Sequence, residues 1–426
     1  MRRGALIIAV MTILAKALGF VRELLMAYFF GAAGVMDAYR VGETVNSLGA
    51  GMVSSLFDVA GLPLLVERNA RAGEQAQRQL FASLWTTGAL VAGSIALLTL
   101  ALAPLCVRLF APRLSGPTFG LAVTTTRILV PVGFVTIMVG AFGAYYNARR
   151  QFAVPKLVDP VINAVAIVVL VFWARRAGVL GLAAGWSLGQ ILGLAVAILP
   201  LVMTGHRLVR TLSDPGVRAF VKLALPVLAA GAVRPLTIAA ARAFASFLPE
   251  GSIAMLGYAD RLFAFPCYLL AASISTTFFT KAAELAAADK HGQLREQTNR
   301  LLSRLAAILI PTSLALLVLA RPVVKLLYER GAFTGQAAVG TAAALAFLGI
   351  GLFPFAAVSV LSAAFRARRD VRTPAYAAFA GAAASIALDL LLVRPMGVSG
   401  LALASSCGLA VAMSYLWARF ERRHGG

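Results

Sequence analysis

Seven basic residues stand inside long apolar runs of this sequence: Lys16, Arg22, Arg40, Arg127, Arg234, Arg242 and Arg261. A charge at the centre of a bilayer costs about 2.5–3.5 kcal/mol on insertion scales, so cations placed there are expected to face water, a partner or a cargo. Arginine adds a geometry, because its planar guanidinium grips a carboxylate or a phosphate through two parallel hydrogen bonds. The acids within or bordering the same runs are fewer: Glu23, Asp37, Glu43, Asp58 and Asp260. That modest cationic excess favours an anionic cargo over a cationic one.

Spacing groups some of these residues. At 100° per residue, Arg40, Glu43, Ser47, Ser54 and Asp58 fall within about 60° of one another, a polar stripe expected to line a watery cavity. Snorkelling to the membrane surface would explain Arg40 and Asp58 singly, but not Glu43 and Ser47 between them. Arg234 and Arg242, eight residues apart, lie about 80° apart on one side of a helix. Arg22 precedes Glu23, and Arg261 follows Asp260. Each pair reads either as a cargo-binding arginine beside an acid or as a structural ion pair between helices, and the spacing leaves both open. Arg127 reads as a snorkelling residue near a span end, and Lys16 fits neither class.

No enzyme signature accompanies them. His206, His291 and His424 lie outside the apolar runs, Cys106, Cys267 and Cys407 have no paired spacing, and there is no phosphate-cradling glycine loop. No enzymatic activity, cofactor or metal is expected. A net charge of +22 would suggest nucleic acid on a soluble chain, but here the basic residues sit mainly in short loops, and no recognition motif goes with them.

The elements that position these residues follow from composition. Of 426 residues 60% are hydrophobic and 13% charged, at a mean hydropathy of +0.85. A soluble fold has too little polar surface to cover that, whereas unbroken apolar runs of about 20 residues cross a bilayer as helices. Spans are expected near 5–29, 38–64, 80–104, 121–145, 157–174, 178–203, 219–247, 252–280, 301–321, 337–364, 373–393 and 397–418, the first of them an uncleaved N-terminal span. With the N-terminus inside, 24 Lys and Arg residues fall in inward segments and eight in outward loops, which puts both termini in the cytoplasm.

The chain also repeats. ARRQFAVP at 148–155 matches ARRDVRTP at 367–374, and GVLGLA at 178–183 matches GVSGLA at 397–402, both at an offset of 219, while APLCVRLF at 103–110 resembles RPVVKLLY at 321–328. The fold class expected is an all-α integral membrane protein of about twelve transmembrane helices. They form two six-helix bundles, 1–210 and 211–426, related by a pseudo-two-fold along the membrane normal, which is an alternating-access architecture.

Several stretches resemble the MviN/MurJ family of lipid II flippases, within the multidrug/oligosaccharidyl-lipid/polysaccharide exporter superfamily. They are LGFVRELLMAYFFGAAGVMDAY at 18–39, LPEGSIAMLGYADRL at 248–262, LYERGAFT at 327–334, and FRARRDVRTP at 365–374 followed by GVSGLALASS at 397–406. The resemblance implies a flippase for a polyprenyl-pyrophosphate-linked glycan, the peptidoglycan precursor lipid II first, with membrane lipids and cell-wall or polysaccharide synthesis enzymes as partners. It places Arg22, Asp37, Arg242 and Arg261 at family motif positions. Three departures stand out: VNSLGAGMVSSLF at 45–57 lacks the family's paired arginines and glutamate, Ala241 replaces an aspartate, and twelve spans stand against the usual fourteen. A different lipid-linked polysaccharide unit, a cation-coupled small-molecule antiporter and a non-transporting scaffold are the competing readings. The expected cavity set is Arg22, Asp37, Arg40, Glu43, Arg234, Arg242, Asp260 and Arg261.

Overall fold

The computed structural model describes residues 2–203, 214–273 and 278–422, and among them there is no strand. The loop residues His206, Arg207 and Arg210, and the terminal Arg423 and His424, lie outside the described residues. Among the described residues, eight stretches are long and apolar enough to cross a membrane. One of them, Gly34–Ala101, folds into two spans at Gly73, whose φ of +80° suits a residue without a Cβ. Helix α1 (Arg2–Phe30), α8 (Pro215–Gly231), α9 (Val233–Ala245), α10 (Ser252–Ser273) and α11 (Phe279–Ala287) lie where the remaining expected spans fall.

Clustering of the backbone separates two compact units, Met1–Pro235 and Leu236–Gly426. The first holds α1, α2 (Gly34–Leu56), a π-helical turn (Phe57–Gly61), α3 (Leu62–Ala101), α4 (Ala103–Phe110), α5 (Gly116–Ile128), α6 (Val130–Ala148), α7 (Ala153–Met203) and α8. Helix α8, reckoned with the second half on sequence alone, packs on α2, α3 and the π-helical turn, and Phe220 stacks on Phe57 with ring centroids 5.2 Å apart. The second unit holds α10, α11, α12 (His291–Leu327), α13 (Gly335–Ile350), α14 (Leu352–Ala367), α15 (Arg372–Met396) and α16 (Val398–Arg422), with α9 crossing the boundary.

The repeat recurs in local geometry. Arg150 and Arg369, 219 residues apart, take φ of +60° and +59°, and Gly178 and Gly397, again 219 apart, take +57° and +59°. Those glycines turn the fifth span into the sixth and the eleventh into the twelfth, where any side chain would strain the backbone. Close packing inside each unit uses small residues, as expected where lipid removes the hydrophobic drive between helices. A Cβ on Gly133 would meet the Asn46 carbonyl at 2.9 Å, and one on Gly381 the Gly408 carbonyl at 2.6 Å. Large apolar side chains such as Phe172, Met203 and Val318 are meanwhile exposed, as a lipid-facing surface requires.

Candidate functional site

The turn after α1 returns the chain as α2, so residues equally far from it meet. Glu23 lies seven residues before the end of α1 and Arg40 six after the start of α2, each about 10 Å deep at 1.5 Å per residue. Arg40 therefore reaches across to Glu23, with Nη2 donating to Oε2 at 2.5 Å and Nη1 to Oε1 at 3.4 Å. One turn further on the same face, Glu43 Oε2 accepts from Arg40 Nη1 at 3.0 Å. Arg22 Nη2 reaches Glu23 Oε1 at 3.4 Å. All four side chains are buried, Arg40 at 1% exposure.

This cluster balances its charges: two arginines face two glutamates. Asp37, buried in the first turn of α2, adds a negative charge where the helix dipole favours one. Arg40 is therefore committed to the carboxylates. Arg22 is less so: its guanidinium carbon stands over the Trp186 ring, 3.8 Å from the centroid, and its Nε and Nη1 have no hydrogen-bond partner among the described residues. The neighbouring Tyr39 hydroxyl is likewise without one. A planar cation held by its face with donors left over is suited to an anionic oxygen.

The polar stripe of α2 does not stay on one surface. Arg40 and Glu43 enter the ion cluster, while Ser47 lines a cavity of about 280 Å³ within the first unit, with Leu48, Met52, Ser55, Leu228 and Pro235 among its other walls. Ser54 packs on the bare backbone of Gly140 in α6, and Asp58 stands exposed in the π-helical turn. The expectation that 43, 47 and 54 share one watery face is corrected, because Gly140 lets α6 approach and cover Ser54.

The other expected residues lie elsewhere. Arg234 is exposed at the start of α9. In the second unit Arg242 and Asp260 are half-buried and Arg261 is exposed. The structure thus brings Arg22, Glu23, Arg40 and Glu43 together and holds Arg242, Asp260 and Arg261 in a separate unit. Aromatic residues of two of the resembling motifs pack together within that unit. Tyr258 of the YADRL stretch meets Tyr328 and Phe333 of LYERGAFT, with ring centroids 5.1 and 5.4 Å away, and all three are buried. Thr334 of the same motif caps α13 by accepting from the Ala337 amide.

One residue escaped the sequence reading. Asp389 on α15 is fully buried, and neither carboxyl oxygen has a hydrogen-bond partner among the described residues. Its signal was a lone acid inside the eleventh apolar run, a region without cations that drew no attention. No group of His, Cys, Asp or Glu among the described residues could hold a metal ion.

Long apolar helices in two units, with Arg22 and Arg40 buried in the first, describe a multi-pass membrane transporter fold. Solved structures agree. An inward-closed lipid II flippase MurJ superposes with a TM-score of 0.84 at 24% identity, covering 97% of this chain and 87% of that one. An inward-facing multidrug resistance MATE family transporter does so with 0.79 at 15% identity, covering 96% and 94%. Among curated proteins, lipid II flippase MurJ of Burkholderia cenocepacia is 29% identical over 99% of this chain and 84% of its own length. The probable lipid II flippase MurJ of Thermotoga maritima is 26% identical over 96% and 83%. The model of the family described as lipid II flippase MurJ matches residues 26–426, and the chain belongs to that family.

Proposed function

We propose that this chain is a lipid II flippase, a transporter and not an enzyme, which moves the polyprenyl-pyrophosphate-linked glycan from the inner to the outer leaflet by alternating access. The observation that carries this reading is the family match from residue 26 to 426. The competing antiporter would bring a cationic cargo to a cluster in which the Arg22 cation keeps two N–H groups without a partner among the described residues.

Arg22 and Arg261 are assigned to the pyrophosphate, with Asp37, Arg40, Glu43, Arg234, Arg242 and Asp260 completing the cavity set. Arg40 and Glu43 act by holding Glu23, and through it Arg22, in place. Both termini are assigned to the cytoplasm of a bacterial inner membrane on the charge bias of the loops, and cell-wall synthesis enzymes are the protein partners that fit such a cargo. Cysteine labelling near Arg149 and Arg368 from outside intact cells should fail, while labelling near Pro249 and Gly331 should succeed. The reverse pattern would overturn the orientation.

The test of cargo is complementation of cells depleted of their own lipid II flippase. Growth rescue by the wild-type chain is expected, and failure at normal membrane abundance would point to a different lipid-linked glycan. Arg261→Lys, Arg261→Ala and Arg261→Ala with Asp260→Ala should each lose rescue at normal abundance. Full rescue by the double variant would mean that Arg261 only neutralises Asp260.

A further inference from the structure

The two copies of the ARR turn carry the same left-handed residue but differ in how their arginines are paired. In the first copy, Arg149 forms a 2.5 Å ion pair with Glu74, which also binds Arg78 at 2.6 Å, and the Arg149 Nη1 donates to the Tyr145 hydroxyl at 3.1 Å. Hydrogen bonds from Arg78 and Arg149 hold the Glu74 carboxyl below the usual carboxylate range. The acid on α3 thus ties down Arg149 of that turn.

In the second copy, at the α14–α15 junction, the charge accumulates. Arg368, Arg369 and Arg372, with Arg419 from the end of α16, surround a cavity of about 550 Å³. At the 219-residue offset, Arg372 and Arg419 stand where the first copy has Ala153 and Pro200, so two of the four cations are particular to this turn. The one acid at the cavity, Asp370, is engaged by the start of α15: its Oδ1 accepts from the Arg372 and Thr373 amides at 3.1 and 3.0 Å, and its Oδ2 from the Thr373 hydroxyl at 2.7 Å.

The rim of this cavity is apolar and exposed. Arg372, Tyr376 and Phe379 share one face of α15 at helical spacing, and Val411, Tyr415 and Arg419 share one of α16. Tyr376, Phe379 and Val411 are exposed, and the Arg419 guanidinium lies 5.5 Å from the Tyr415 ring centroid. Each stripe runs from an arginine at the helix end into the span. That is the arrangement a lipid needs, with its phosphate among the guanidinium groups and its acyl chains along the stripe.

We propose that this cavity is a binding site for the headgroup of an anionic phospholipid, held by Arg369, Arg372 and Arg419. A phosphodiester offers the planar oxygen pairs that guanidinium groups fork, and the size suits a glycerophosphate. A free phosphate would satisfy the arginines but leave the exposed Tyr376 and Phe379 stripe unused.

The test uses the full chain purified in detergent, with bound lipids counted by native mass spectrometry and thermal stability read in parallel. Phosphatidylglycerol should bind and raise the melting temperature, whereas phosphatidylcholine and inorganic phosphate should not. In R369Q/R372Q/R419Q the Kd for phosphatidylglycerol should rise about tenfold or more, the loss of several charge-assisted bonds. A charge-matched control, R71Q/R78Q/R150Q, should bind as wild type. R372Q and R419Q alone, each an exposed position, should weaken binding about threefold, which keeps the test open if the triple variant misfolds. Unchanged binding in these variants, or equal loss in the control, would overturn the site. Inorganic phosphate competing at millimolar concentration would make it a free-anion site instead.

Discussion

Removing the Arg40 guanidinium should cost this protein more stability than any other single truncation in the first unit. In Arg40→Met the side-chain volume is roughly kept, but Glu23 and Glu43, exposed to 3% and 7%, lose the cation that bridges them. Breaking a buried pair by deleting one partner costs about 3–5 kcal/mol, since an uncompensated charge stays behind. Each 1.4 kcal/mol is a factor of ten, so the folded-to-unfolded ratio should fall about a hundredfold or more. Arg22 is an incomplete substitute, because it touches only Glu23 and at 3.4 Å. Arg40→Lys keeps the charge but cannot fork between the two acids, and about 1–3 kcal/mol should be lost. The double change Arg40→Met with Glu43→Gln removes one charge of each sign, leaves Arg22 paired with Glu23, and should restore most of the stability that Arg40→Met loses. The assay is the aggregation midpoint in detergent alongside membrane abundance. A single Arg40→Met variant as stable as wild type, with both glutamates present, would refute the reading of the cluster as a mutually dependent ion network.

Arg22→Lys should keep abundance while lowering lipid II transport about tenfold or more, because the ammonium loses both the fork and the stacking on Trp186; transport at wild-type rate would remove Arg22 from the cargo site. Gly381→Ala should destabilise the α15–α16 pair by about 1–3 kcal/mol, since its Cβ would sit 2.6 Å from the Gly408 carbonyl, and an unchanged aggregation midpoint would contradict that packing. Asp389→Leu should raise thermal stability by about 1–3 kcal/mol, as it removes a buried carboxyl whose oxygens have no partner among the described residues; a lower midpoint would mean that the carboxyl is satisfied in the folded protein.

Most of the architecture was legible because a bilayer makes length and apolarity decisive. The twelve runs and the 219-residue repeat followed from residue types alone, and the matching left-handed backbone at Arg150 and Arg369 is what that repeat preserves. The Arg22–Glu23 neighbourhood was legible as a pair but not as a network. Arg40 and Glu23 meet across the Gly31–Ala33 turn, and no helical period connects positions across a turn. The stripe through Ser54 and Asp58 failed for a similar reason: periodicity gives a face but not its neighbour, and Gly140 brought α6 onto that face. The π-helical turn at Phe57–Gly61 then interrupted the helix on which the 100° count relied. Asp389 was visible as a residue type, yet a lone acid carries no spacing to interpret.

The most direct test of the proposed cargo follows lipid II itself. In cells depleted of their resident flippase and supplied with this chain, the share of lipid II cleaved by an externally added lipid II-degrading enzyme reports arrival at the outer leaflet. Cleavage at the level of undepleted cells is expected for the wild-type chain, with little cleavage for Arg22→Lys at equal abundance. Lipid II that stays protected while the chain is abundant in the membrane would contradict the account.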